Sequence, residues 1–125
     1  MLIYAFVDYE SVGRLSKLDL SRYARIVLFV GACQHKIDCN VHYPHALQLT
    51  VVKIEKRQRN NLDFHLAYYL GLLDHATPSA VGFEVISNDK GFTPLVHYLQ
   101  ARGRVCAQIE MESERQITPN GEPIT

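Results

Sequence analysis

Phe83-Glu84-Val85-Ile86-Ser87-Asn88-Asp89-Lys90-Gly91-Phe92-Thr93-Pro94-Leu95-Val96 is the stretch that decides the fold. Phe83 to Ser87 is short and largely apolar, the pattern of a buried strand. Small and polar groups follow, then an acid, a lysine and Gly91, which permits a tight turn or a close backbone approach. Thr93 to Ala101 reads as a helix with Leu95, Val96 and Leu99 inward, Pro94 in its first turn, and Arg102-Gly103 closing it. A strand passing through a tight turn into a helix is one step of an alternating β-α chain, whose strands pair in parallel.

Outward from this unit the same alternation continues. Arg104 to Ile109 is a further strand. Upstream, Leu62, Leu66, Tyr69, Leu70 and Leu73 recur at the three- and four-residue steps of an amphipathic helix, and Asn60-Asn61 marks its N-cap. Leu2 to Val7 and Arg25 to Val30 are buried strands, and Gln48 to Ile54 is a weaker one nearer an edge. Ser11 to Ala24 reads as a loop plus a short helix. The expected fold is α/β: a three-layer sandwich with a five-stranded parallel sheet in the order 3-2-1-4-5. Its first and fourth strands lie side by side at the switch point, where open α/β sheets bind ligands beyond the carboxyl ends of their strands.

The 125 residues fit one domain, and 47% apolar content supports a real core. Residues 1–110 read as that domain. Residues 111–125, with Pro119, Asn120, Gly121 and Pro123, read as a flexible C-terminal tail or linker through which a further domain or partner could join. The opening Met1 to Val7 lacks a basic signal-peptide region and meets Asp8 at once, and no apolar run approaches the ~20 residues of a membrane span, so a cytoplasmic chain is expected. Thirteen basic and thirteen acidic residues balance, which argues against a protein that coats DNA. Cys33, Cys39 and Cys106 are an odd set of thiols, expected to be reduced.

Acids collect where the topology makes a crevice. Asp8 ends the first strand, and Asp89 lies just past the fourth. Adjacent carboxylates repel unless a proton or a cation intervenes, and a hard divalent cation suits all-oxygen donors. Asp63, in the first turn of the leucine-striped helix, can join them or complete a capping box with Asn60. Glu10, two residues past Asp8, would share its side of an extended strand. Ser87 and Asn88 could orient water or the Asp89 carboxylate, and Lys90 could meet a phosphate or pair with Asp89. The run Lys53, Lys56, Arg57 and Arg59 stands ahead of the Asp63 helix, where backbone phosphates could lie; a solvated loop is the plain alternative. Cys33, His35, Cys39, His42 and His45 crowd one loop, but their spacings depart from those of paired zinc ligands. Tyr68 and Tyr69 read as packing groups, and His65 as a helix-surface residue.

Three segments together resemble PIN-like nuclease domains of the bacterial NYN type. Phe6-Val7-Asp8-Tyr9-Glu10-Ser11-Val12 is similar to the family's opening strand and aspartate, with Ser11 where an asparagine is frequent. Asn60-Asn61-Leu62-Asp63-Phe64 resembles its "N-x-L-D-F" helix, and Ser87-Asn88-Asp89-Lys90-Gly91-Phe92-Thr93-Pro94-Leu95 its "S-x-D-x-G-F-x-P-L" stretch. The resemblance implies Asp8, Asp63 and Asp89 as metal-site and catalytic acids, with Glu10 a weaker addition. It implies Mg²⁺ or Mn²⁺ as cofactor and phosphodiester hydrolysis, usually of RNA. Ser87, Asn88, Lys90, Lys56, Arg57 and Arg59 are the expected substrate-binding set. The fourth acid that the family commonly carries near the third one's helix has no clear match. The expected partner is nucleic acid, RNA over DNA, and a homodimer is the default assembly on general frequency. Two alternatives are an inactive PIN-like binding or oligomerisation module and a phosphatase of the haloacid-dehalogenase type, the latter suggested by Asp8-x-Glu10.

Overall fold

The computed structural model describes residues 1–39 and 46–111; His42, His45 and the tail from residue 112 lie outside the described residues. Its strands are β1 (Ile3–Asp8), β2 (Arg25–Val30), β3 (Leu49–Lys53), β4 (Gly82–Ile86) and β5 (Cys106–Ile109), and its helices are α1 (Tyr9–Val12), α2 (Asn61–Ala76) and α3 (Thr93–Ala101). The five strands form one sheet in the order β3-β2-β1-β4-β5, and every neighbouring pair is parallel. This is the expected topology. Strand and helix bounds differ from the sequence reading by one or two residues, where end residues join turns rather than the ladder.

Alternation along the central strands sorts the core into two layers. Phe6, Val27, Phe29, Phe83 and Val85 face α2 and α3. Ala5, Val7, Ile26, Leu28, Val30 and Ile86 face the segment between β1 and β2, whose Leu15, Leu18, Leu20 and Tyr23 cover them. On the first face, Leu62, Leu66, Leu70 and Leu73 of α2 are buried, with Leu66 and Leu70 wholly so. Each such leucine stabilises the fold by roughly 1.5–3 kcal/mol through burial. The second face is covered less regularly. A four-residue helix starts directly after β1, because the Asp8 carboxylate accepts from Ser11 N at 3.2 Å and caps it. A short 3-10 helix over Leu20–Arg22 lies within Ser11 to Ala24 as expected, and α1 is an additional helix that starts ahead of that span. Glu10 lies on α1 and not on an extended strand, so the alternation argument that paired it with Asp8 does not apply.

Two charged groups tie the layers together. Glu84, buried on β4, receives both Arg22 guanidinium nitrogens (3.1 and 3.0 Å) and the Tyr23 hydroxyl (2.6 Å). Arg104 is also buried. Its Nε donates to Asp74 Oδ1 (2.8 Å), and its two terminal nitrogens donate to the carbonyls of Asp74, Thr77, Pro78 and Val81 at 2.7–3.0 Å. Its guanidinium also lies 4.4 Å from the Phe83 ring centroid. One planar fork thus satisfies the orphan carbonyls at the end of α2 and holds the return into β4. No helix among the described residues is long and apolar enough to cross a membrane.

Arg104→Ala is expected to destabilise the fold by about 3–5 kcal/mol, because it leaves several buried carbonyls without a donor and Asp74 with only the longer Arg102 pair at 3.9 Å. Arg104→Lys should recover only a small part, since an ammonium cannot reach the same acceptors. Urea unfolding followed by far-ultraviolet circular dichroism reads both.

Candidate active site

Parallel pairing directs every strand's carboxyl end to one rim, and each following helix begins at that rim. Asp8 ends β1, Asp89 follows β4, and Asp63 lies in the first turn of α2. β1 and β4 are adjacent, with Val7 opposite Ile86. Asp8 follows Tyr4 and Phe6 in the alternation, and Ser87 follows Phe83 and Val85, so both side chains stand on the face that α2 covers.

A hydrogen-bond frame fixes these positions. The buried Ser87 hydroxyl donates to Asp8 Oδ2 (2.8 Å) and accepts from Asp89 N (3.0 Å). Ser11 Oγ accepts from Asn88 N (2.7 Å), linking the turn after β1 to the turn after β4. Gln108 of β5 donates from one nitrogen to the carbonyls of Ser87 (2.9 Å) and Asp89 (2.8 Å). Asp89 Oδ1 accepts from Gly91 N at 2.8 Å, which starts the 3-10 turn leading into α3. A Cβ on Gly91 would stand 3.0 Å from that same oxygen, so the close approach is easiest for glycine.

The electrostatics follow from this convergence. Burial pushes the Asp8 carboxyl up; hydrogen bonds from Ser87 and Ser11 oppose it, and the charges of Glu10 and Asp89 add to it. Asp63 is pushed up to about 6, first by burial, then by the charges of Asp89 and Asp8, a hydrogen bond with the Asp89 carboxyl, and the charge of Glu10. Asp63 and Asp89 line one cavity wall, near enough for their carboxyls to interact, and the charge of Asp8 also reaches Asp63. Among the described residues, none of the three forms an ion pair with lysine or arginine. Asn60 starts α2 in the left-handed region (φ 61°) and makes no side-chain cap, so the capping-box role for Asp63 is not realised.

The all-carboxylate donor set fits a hard divalent cation such as Mg²⁺ or Mn²⁺ and not a thiolate-seeking metal. Among the described residues, no three His, Cys, Asp or Glu side chains close on one point tightly enough to cage an ion unaided.

Glu10 reaches the site's flank by another route. It lines a cavity of about 270 Å³ with Cys33, Lys56 and Arg57, beside the start of α2. A Cβ at Gly31 would overlap the Glu10 side chain, so glycine at the end of β2 is what admits it. Lys56 and Arg57 therefore border the acidic rim, and Arg59 is exposed in the same loop. Lys53 is otherwise occupied: its ammonium donates to the carbonyls of Gly31 and Gln34 and braces the loop after β2.

One expected substrate contact needs correction. Ser87 is fully buried and cannot touch a substrate; it positions Asp8 and the Asp89 backbone. Asn88 spends its side-chain oxygen on Met111 N (2.7 Å) and holds the end of β5. Lys90 is exposed on the turn after Asp89. Ser11, which the sequence marks only as standing where an asparagine is frequent, and Gln108, which the sequence does not mark, are the cross-links of the frame. Cys33, Cys39 and Cys106 are free thiols, and burial pushes Cys106 up to about 11, an inert core thiol.

A parallel α/β domain with carboxylates over its switch point belongs to the broad class of acid-site α/β proteins. A family model described as the PIN domain matches residues 2–109, and the chain belongs to that family. PIN domains are generally metal-dependent nucleases. Comparison with curated proteins and with solved structures gave no match.

Two outcomes follow. The raised Asp63 pKa means its contribution to stability is present below its unfolded value near 4 and is lost as pH rises through about 6. Without divalent metal, Asp63→Asn should therefore be more stable than the parent at pH 7.5, by on the order of 1 kcal/mol after solvent screening, and equal to it at pH 4. Thermal melts in EDTA at the two pH values measure this. Gly31→Ala should match Glu10→Gln in divalent-cation affinity by calorimetry, each weaker than the parent, because the added methyl group displaces the Glu10 side chain.

Proposed function

We propose that this chain is a Mg²⁺- or Mn²⁺-dependent endoribonuclease acting on single-stranded or structured RNA. The observation that carries the reading is the meeting of Asp63 and Asp89 beside Asp8, with no lysine or arginine of the described residues paired to any of them. Fold membership alone would not carry it, because a fold hosts many functions.

Asp8, Asp63 and Asp89 would hold the cation, with Glu10 at the flank. When bound, such an ion lowers the pKa of a water and neutralises charge on a phosphate. The protein's own residues do the rest. Ser87 and Ser11 keep the Asp8 oxygens aimed at the rim, so little reorganisation is left for the reacting complex. The amino end of α2 opens on the same rim, where its dipole favours an anionic phosphate. Lys56 and Arg57, across that helix start, suit neighbouring backbone phosphates. RNA over DNA, the cytoplasmic setting and a dimeric assembly belong to this reading as proposals.

The test is internal cleavage of a labelled single-stranded RNA, with a DNA of the same sequence in parallel. Mg²⁺ or Mn²⁺ should support cleavage and EDTA should stop it. Asp8→Asn or Asp89→Asn should lower the rate by on the order of 100-fold or more, with the folded spectrum kept. Cleavage that survives both substitutions and EDTA would reject the assignment. Turnover of p-nitrophenyl phosphate without cutting of RNA would favour a phosphatase instead.

A further inference from the structure

The outer face of α2 carries large side chains that the core does not use. Phe64 is 70% exposed and Tyr68 64% exposed, one helical turn apart on the same face. Tyr69 turns inward, its ring 5.5 Å from the Phe29 ring in an edge contact, and Tyr68 stands edge-on to Tyr69 at 5.5 Å. The expectation that both tyrosines are packing groups therefore holds for Tyr69 and not for Tyr68.

Phe64 is placed unlike an ordinary surface phenylalanine. It directly follows Asp63, and its ring lines a cavity of about 310 Å³ whose wall includes both Asp63 and Asp89. Ala67, Gly91, Phe92 and Leu95 supply the rest of that wall, together with Asn60. Asn60 is the one non-glycine residue with positive φ among those described, and its carboxamide does not cap the helix. On its other side Phe64 lines a second concavity with His65, Tyr68 and Tyr69. The first cavity is at the small end of ligand pockets (roughly 300–1,000 Å³), a size suited to one flat ring system and too small for a helix or strand of a protein partner.

We infer that Phe64 is a substrate-binding residue whose ring stacks on the unpaired base next to the scissile phosphate, with Tyr68 receiving the neighbouring base. This rests on the nuclease reading and names its substrate class: a nucleic-acid strand with at least one unstacked base at the cut. A planar base covers the exposed ring, while its phosphate reaches the rim where Asp63 and Asp89 meet. Base-paired substrate cannot do both, because its bases are already stacked within the helix. Stacking on an aromatic platform tolerates any base, so Phe64 sets strandedness; the Asn60 carboxamide at the cavity edge can hydrogen-bond to a base edge and add preference. A second copy of this chain seated on the Phe64–Tyr68 face is the competing occupant, and the test separates it.

The experiment measures steady-state cleavage by the parent, Phe64→Ala and Phe64→Trp chains on a single-stranded RNA, a blunt duplex, and a single strand carrying an abasic residue beside the cut. Phe64→Ala should cost about tenfold or more in kcat/KM on the single strand, and Phe64→Trp should restore it. The abasic residue should cost the parent about as much as the substitution does, and should cost Phe64→Ala little further, because ring and base are two halves of one contact. A binding readout accompanies it: 2-aminopurine beside the cut should lose fluorescence on an Asp89→Asn chain and keep it on the Asp89→Asn, Phe64→Ala chain. Parental kcat/KM in Phe64→Ala, or equal abasic penalties in both chains, overturns the inference and leaves the nuclease reading standing. A dimer that dissociates in Phe64→Ala while cleavage is unchanged assigns the face to a second copy and overturns it too. Absence of cleavage in the parent overturns the nuclease reading, and this inference with it.

Discussion

The repulsion between carboxylates at the sheet's switch point is the constraint on which the rest depends. Asp8, Asp63 and Asp89 are brought together by chain topology, and the charge of Asp89 raises the cost of ionising both Asp8 and Asp63. A site that only stabilised the fold would place a lysine or arginine there, as Arg104 serves Asp74 and Arg22 serves Glu84. Here two serine hydroxyls and backbone amides orient the acids, and among the described residues no lysine or arginine pairs with them. On the proposed reading, repulsion held in place by that frame would favour a small, hard cation.

That frame draws on nearly every element. Gln108 on β5 supports the backbone of Ser87 and Asp89, and Met111 past β5 engages Asn88. α2 must sit at a set height for Asp63 to meet Asp89. Its leucines lock it onto the sheet, and Arg104 anchors its far end. Loss of Arg104 thus reaches the site only through the helix, whereas Gly31 and Gly91 act at the site itself, by admitting the Glu10 side chain and the Asp89 carboxylate. Stability and placement are separate demands, met by different residues.

Much of this was legible in the sequence. Continuous apolar runs gave β1, β2 and β4, and four leucines at helical spacing gave α2, because burial imposes those patterns directly. Alternation with crossover handedness then gave the strand order, and hence the neighbouring ends of β1 and β4 that carry Asp8 and Asp89. What could not be read depends on contacts between distant residues. Ser11 bonds to Asn88 across 77 positions, and neither residue type announces that partner. Arg104 looks like a surface charge at a strand start until four carbonyls surround it. The start of α1 was missed because Asp8 both ends a strand and caps a helix. Glu10 was placed by a strand rule that ceased to hold two residues earlier, and it reaches the rim only because Gly31 has no side chain.

The most direct test of the central claim is calorimetric titration of Mn²⁺ into the metal-free chain at pH 6 and pH 7.5, in buffers of different ionisation enthalpy. Ligand carboxylates must be deprotonated to hold an ion. With Asp63 near 6, binding should release roughly half a proton at pH 6 and almost none at pH 7.5. Saturable binding with that proton release, lost in Asp63→Asn, is the result this account requires. Binding with no proton release at pH 6, or unchanged in Asp63→Asn, would place the ion away from the three acids and contradict it.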